Sequence, residues 1–89
     1  MSIVVKQFHY IVRDKVGIHA RPAGLLVKEA AKYKSTIEIG KGEEKGNAKR
    51  IFSIMGMNIC CGDEVTVYIT GEDENEAFEG LQLFFQKNL

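Results

Sequence analysis

Gly17-Ile18-His19-Ala20-Arg21-Pro22-Ala23 is the stretch on which the reading of this chain turns, because it marks where an extended segment gives way to a helix. Pro22 suits a first helical turn, where its missing N–H removes no intrahelical bond, and the sequence that follows predicts helix to about Tyr33. The first backbone N–H groups of such a helix have no partners within it. Ala20 and Arg21 can therefore present theirs to an anion, with the helix dipole adding to the attraction. Arg21 also brings a planar fork of donors that grips phosphate oxygens in pairs. His19 stands immediately before these groups, and a neutral imidazole nitrogen is a nucleophile near pH 7, since histidine ordinarily titrates near about 6.5. The pattern predicts a phosphoryl group bonded to His19 and held by Arg21 and the helix start. A histidine beside a helix N-terminus is also commonly a surface or capping residue, so the chemistry alone leaves both readings open.

Outward from this stretch the elements run strand, helix, strand, strand, helix, strand, helix. Phe8, Tyr10 and Val12 alternate with His9 and Ile11 in a first strand, and Arg13-Asp14-Lys15 makes a polar break before the loop. His9 reads as structural or solvent-facing. The first helix puts Leu25, Leu26, Ala30 and Tyr33 near one face, with Lys28, Glu29 and Lys32 toward solvent. Thr36 to Ile39 is a second strand. The charged, glycine-rich run from Gly40 to Gly46 reads as a turn; it lacks the Gly-Lys-Ser/Thr ending of a phosphate loop. Val65 to Thr70 alternates β-branched residues as a strand. Asp73 to Asn88 forms the closing helix, with Ala77, Leu81 and Phe84 or Phe85 on its apolar side and acids in its first turn.

The 89 residues suffice for one modest core, and no linker, repeat or low-complexity stretch divides them, so a single domain over 1–89 is expected. Twelve basic and 12 acidic side chains cancel, which argues against a general pull on nucleic acid or an anionic membrane. The chain shows neither a signal-peptide pattern nor an apolar run of spanning length, so no membrane insertion and a cytoplasmic location are expected. Cys60 and Cys61 are adjacent, a poor arrangement for a structural disulfide or a spaced metal pair. Reduced, partly buried thiols follow, with no metal and no cofactor.

The Gly17–Ala23 motif resembles the active-site signature of HPr, the histidine-containing phosphocarrier family of the bacterial sugar phosphotransferase system. Leu26 to Tyr33, Asn47-Ala48-Lys49, Gly62-Asp63-Glu64-Val65 and Gly71 to Ala77 fall in that family's order and spacing, so the resemblance covers nearly the whole chain. It implies an α+β fold, an open-faced β-sandwich in which three helices cover one face of a four-stranded antiparallel sheet (βαββαβα). It also implies a phosphocarrier rather than an enzyme: Enzyme I, charged from phosphoenolpyruvate, would phosphorylate His19, by family precedent at Nδ1, and a sugar-specific IIA domain would take the group away. Arg21 and the N–H groups of Ala20 and Arg21 would stabilise the transferring charge.

The middle helix departs from the family pattern. Gram-positive relatives carry Asn-Ala-Lys-Ser, whose serine caps that helix and is phosphorylated by HPr kinase/phosphorylase. Here Asn47-Ala48-Lys49 is followed by Arg50. An ungapped count from His19 to Gly71 puts Arg50 at the regulatory position. The rival alignment takes Ser53-Ile54-Met55-Gly56 as the serine motif and needs an insertion and a compensating deletion. Ser53 could then cap a shortened helix, which Arg50, with no acceptor to offer, does poorly. Ile51, Phe52, Ile54, Met55 and Met57 are more apolar side chains than one short helix buries, so some are exposed or cover the edge of the active site. The resemblance implies that Ile51 and Phe52 sit near His19 and meet partner proteins; Ala23 and Met55 are expected beside them, and a positive rim of Arg21, Lys28, Lys49 and Arg50 would suit an acidic partner. A small transient interface suits a monomer. Two other readings compete: a regulatory adaptor of the same fold that binds a transcription factor or metabolic enzyme, and a metal or redox module built on Cys60, Cys61 and the histidines.

Overall fold

Strand alternation decides which way the sheet faces. In the computed structural model, which describes residues 6–89, Phe8, Ile37, Ile39, Val65, Val67 and Ile69 point to one side and are buried, while Gln7, His9, Thr36, Thr66 and Tyr68 point to the other. The order is β1 (Lys6–Ile11), α1 (Ala20–Ala30), β2 (Thr36–Lys41), β3 (Glu44–Asn47), α2 (Ile51–Met55), β4 (Glu64–Thr70) and α3 (Glu74–Asn88). The strands form one antiparallel sheet in the spatial order β1-β4-β2-β3. Register places Phe8 opposite Val67 and Val67 opposite Ile39, so the apolar rows run straight across the sheet.

The helices cover the apolar side with residues at helical spacing. Pro22, Ala23, Leu26 and Ala30 of α1, Ile54 of α2, and Ala77, Leu81 and Phe85 of α3 are buried against it. Phe85 is fully buried and meets Phe8 and Tyr10 edge-on, at centroid distances of 5.5 and 5.4 Å. The opposite face stays open, with Lys45 Nζ 4.1 Å from the centre of the Tyr68 ring. This is the expected open-faced sandwich.

Several boundaries differ from the sequence reading. Helix α1 stops at Ala30, where a short turn brings Tyr33 back so that its hydroxyl donates to Glu29 at 3.2 Å. Glu29 is accordingly half-buried rather than solvated, and burial together with its carboxylate pushes the Tyr33 phenol above its ordinary value. Leu25 remains 42 % exposed, off the apolar stripe. The glycine-rich turn shrinks to Gly42-Glu43, since Lys41 pairs with Glu44 and Gly40 with Lys45; a φ of +60° at Gly42 permits so tight a hairpin. Asp73 precedes α3 as its N-cap, and Glu74 and Glu76 supply the acids of the first turn. Cys60 and Cys61 are both exposed, in a surface turn closed by the Asp63 N–H on the Cys60 carbonyl at 3.0 Å.

Candidate functional site

The loop from β1 to α1 is held by backbone hydrogen bonds together with the side chains of Asp14 and Arg13. Val16 N–H donates to Asp14 Oδ1 at 2.9 Å, Gly17 N–H to the Asp14 carbonyl at 2.9 Å, and Ile18 N–H to the Ile59 carbonyl at 2.9 Å. Gly17 has φ +76°, and a Cβ there would meet the Ile59 carbonyl oxygen and lie 2.8 Å from Cys60 Cα. Only glycine lets the two loops lie this close. On the other side, Arg13 and Asp14 N–H both reach the Leu89 carbonyl, at 2.7 and 3.0 Å, so the end of α3 is tied to the same loop.

The chain then turns at His19, whose φ and ψ of −99° and −168° are extended, and α1 begins. His19 is the N-cap by backbone position: its carbonyl accepts the Ala23 N–H at 2.9 Å, and no side chain caps the helix. The N–H groups of Ala20 and Arg21 precede that first helical bond and Pro22 has none, so the helix start offers two free donors beside an exposed imidazole. His19, Arg21, Pro22 and Leu25 line one cleft of about 260 Å³ together with Asp14, Lys87 and Asn88. Arg21 takes part in none of the ion pairs among the described residues, so its guanidinium is available to a ligand. A nucleophilic ring, a free guanidinium and two unpaired N–H groups around one opening can receive, bond and hold a phosphoryl group.

Beside this cleft lies a second, apolar surface. Phe52 is 84 % exposed and Met55 39 % exposed on α2, while Ile54 and Met57 are buried. Ile51 is half-buried and lies over Gly24, where its Cδ1 would be 3.8 Å from a Cβ, so α2 rests on the second turn of the helix that His19 caps. Ala23 is fully buried beneath this contact, which makes it packing rather than open surface. The supposed positive rim divides. Lys28 and Arg50 are exposed, but Lys49 Nζ donates to the Tyr33 carbonyl at 2.6 Å, satisfying the chain just after α1. Arg50 occupies the N-cap of α2 without any side-chain cap bond, and Ser53 lies inside the helix, half-buried, instead of capping a shortened one.

His9 is far from this arrangement in role: its ring shares a 2.8 Å hydrogen bond with Thr66 Oγ1 on the open sheet face. Among the described residues no group of three or more His, Cys, Asp or Glu side chains converges on a metal-sized position, and the thiols of Cys60 and Cys61 turn to separate carbonyls, of Asn58 and Arg13. Sequence reasoning missed Lys87 and Asn88 altogether. They reach the cleft only because α3 ends there, and no local motif could have signalled it.

Residues 6–87 match the family model described as the PTS HPr component phosphorylation site. The chain belongs to the HPr family. It is similar to the phosphocarrier protein HPr of Mycoplasma capricolum, with 43 % identity over 76 residues, 85 % of each chain. Its fold is similar to that of a mycoplasma histidine-containing phosphocarrier protein, with a TM-score of 0.89 and 40 % identity over 92 % of this chain and 93 % of that one. It is also similar to Crh, the Bacillus subtilis catabolite-repression protein, whose crystal structure is a swapped dimer; the TM-score is 0.75, with 41 % identity over 90 % of this chain and 92 % of that one. HPr proteins are phosphocarriers of the phosphotransferase system, not catalysts, and no helix among the described residues is long and apolar enough to cross a membrane.

Proposed function

We propose that His19 is the phosphoryl acceptor of this HPr-family chain, charged by Enzyme I and discharged to IIA domains of sugar permeases. The observation that carries the reading is the exposed His19 at the N-cap of α1, beside the free N–H groups of Ala20 and Arg21 and on one cleft with an Arg21 side chain that forms no ion pair among the described residues. As the donor's bond to phosphorus breaks, the lone pair of a neutral His19 ring nitrogen forms the new P–N bond, and the proton stays on the other ring nitrogen. The negative charge spreads over three phosphoryl oxygens, where Arg21 and the N–H groups of Ala20 and Arg21 are already in place. The chain supplies position and charge but no second substrate. Phe52, Met55 and Ile51, with Arg50 and Lys28 at the edge, form the surface that would hold a partner while the group crosses. One chain carries the whole site, so a monomer suffices.

Incubation with phosphoenolpyruvate and Enzyme I, followed by mass measurement, tests this. The wild type should gain one acid-labile phosphoryl group, and His19→Ala none. Phosphorylation of the His19→Ala protein, for example on His9, would remove His19 from the role. The likeness to Crh supports a second reading, a regulatory adaptor. Such a protein needs the α2 surface but not the nucleophile, so partner capture unaffected by His19→Ala, together with no phosphoryl acceptance by the wild type, would favour it.

A further inference from the structure

The cleft that holds His19 and Arg21 carries a second cation in its lining. Lys87 lies in the last turn of α3 and lines the same opening as His19 and Arg21. It takes part in no ion pair among the described residues. We propose that Lys87 is a second cationic contact for the phosphoryl group on His19, an inference that rests on the relay described above.

The charges around the cleft favour this. A phosphoryl group brings about −1.5 to −2 charges at neutral pH. Arg21 opposes it with one positive charge, but the Asp14 carboxylate lines the same cleft and offsets that charge. Asp14 cannot easily turn away, because its Oδ1 accepts the Val16 N–H at 2.9 Å. The N-terminus of α1 adds only about half a unit. Without Lys87 the arriving dianion would meet walls close to neutral; with it, the walls carry roughly one more positive unit.

The backbone on both sides of Lys87 is fixed to the His19 loop. The Gln86 carbonyl accepts from Arg13 Nη2 at 2.9 Å, and the Leu89 carbonyl accepts from Arg13 and Asp14 N–H. An ammonium on a flexible stem and a fixed backbone can swing onto phosphoryl oxygens without moving the helix. A lysine in the last turn of a helix also favours the helix dipole, but that role predicts a change in stability alone.

The test is ³¹P NMR of the His19-phosphorylated protein across pH, for wild type, Lys87→Gln and Lys87→Arg. Removing a nearby cation disfavours the dianion, so in Lys87→Gln the phosphoryl titration midpoint should rise by about half a unit, roughly a threefold gain in proton affinity. Lys87→Arg should restore it. The difference should shrink near 1 M salt, where screening acts within about 3 Å. A Lys87→Gln midpoint equal to the wild type overturns the inference, whatever happens to thermal stability, and leaves the relay standing. A wild type that takes no phosphoryl group overturns both, and the mass of the unsubstituted protein shows this before any Lys87 variant is compared.

Discussion

Arg13 Nη2 donates to the Gln86 carbonyl at 2.9 Å, which fastens the end of α3 to the loop that delivers His19. The same guanidinium donates through Nε to the Tyr10 hydroxyl at 3.1 Å and lies over that ring, 5.8 Å from its centre. One side chain thereby joins the end of β1, the end of α3 and the entry to the site. Arg13→Ala should cost about 1 kcal/mol in urea unfolding, the scale of exposed charge-assisted hydrogen bonds. Phosphoryl acceptance should fall as well, though less than in Arg21→Ala. Unchanged stability would mean that the loop is held without the Arg13 side chain.

Arg21 should matter more to the transferring group than to the resting fold, since it takes part in no ion pair among the described residues. Arg21→Ala should slow transfer about 10- to 1000-fold, corresponding to roughly 1.4 to 4 kcal/mol of lost charge stabilisation. Its unfolding midpoint should stay within experimental scatter of the wild type. Equal transfer rates with both Enzyme I and a IIA domain would exclude Arg21 from the step.

Gly17→Ala tests the loop from the other direction. The added methyl would meet Ile59 and Cys60 at a φ of +76°, so the substitution should destabilise the fold by about 1–3 kcal/mol. Since Ile18 and His19 follow directly, acceptance on His19 should fall in the fraction that remains folded. Full stability and full acceptance would show that the loop tolerates separation from the Cys60 turn.

The start of α1 was legible because its signals are local: a proline in the first turn, preceded by a histidine and an arginine two residues apart. Strands β1, β2 and β4 were legible because one face of each is buried, which imposes alternation on Phe8, Ile37 and Val67 and their neighbours. The edge strand β3 was expected in the order of elements, but its bounds were not legible. Glu44, Lys45 and Asn47 are all exposed, so no burial marks the strand, and its glycine and charges imitate a turn. Lys49 and Lys87 show the other limit. What each ammonium faces is set by elements distant in sequence, and spacing carries no trace of that. Cys60 and Cys61 were expected to be partly buried, whereas both are exposed in the turn that Gly62, at φ +92°, completes.

Acid should loosen the junction between α3 and the segment before β2. Asp73 accepts from Ser35 Oγ at 2.5 Å, Lys34 N–H at 2.8 Å and Ser35 N–H at 2.9 Å, and the Ser35 hydroxyl first, then these N–H groups, hold its carboxyl below the ordinary value. The folded value lies below the unfolded one, so the unfolded chain binds the proton first as pH falls. The contribution is therefore present above about 3.9, the unfolded carboxyl's value, and is lost as the pH drops through the lower folded value. Asp73→Asn should be less stable at pH 7 and should lose less additional stability by pH 3, measured by urea unfolding. Asp63, lowered first by Lys41 and then by the Cys60 N–H, keeps part of the acid dependence in the variant. An acid response identical to the wild type would assign the loss to other carboxylates.

Arg50 stands where a capping serine would serve the helix better. The backbone at Arg50 is extended and α2 begins at Ile51, so the Ser53 N–H sits at the third helical position, where an N-cap hydroxyl would receive it. Arg50→Ser should stabilise the fold by about 0.5–2 kcal/mol, a gain readable by chemical denaturation without any partner. The same change should create an acceptor for HPr kinase/phosphorylase, with the phosphate found on the substituted residue, while the wild type should be modified poorly because a guanidinium accepts no phosphoryl group there. Ser53 is the competing site, but its place inside α2, half-buried, gives a kinase little access to the hydroxyl. Efficient ATP-dependent phosphorylation of the wild type that disappears in Ser53→Ala would reverse this assignment and make the displaced Ser53-Ile54-Met55-Gly56 segment the regulatory one. The His19 relay would be untouched by that outcome, because it depends on the start of α1 and not on the start of α2.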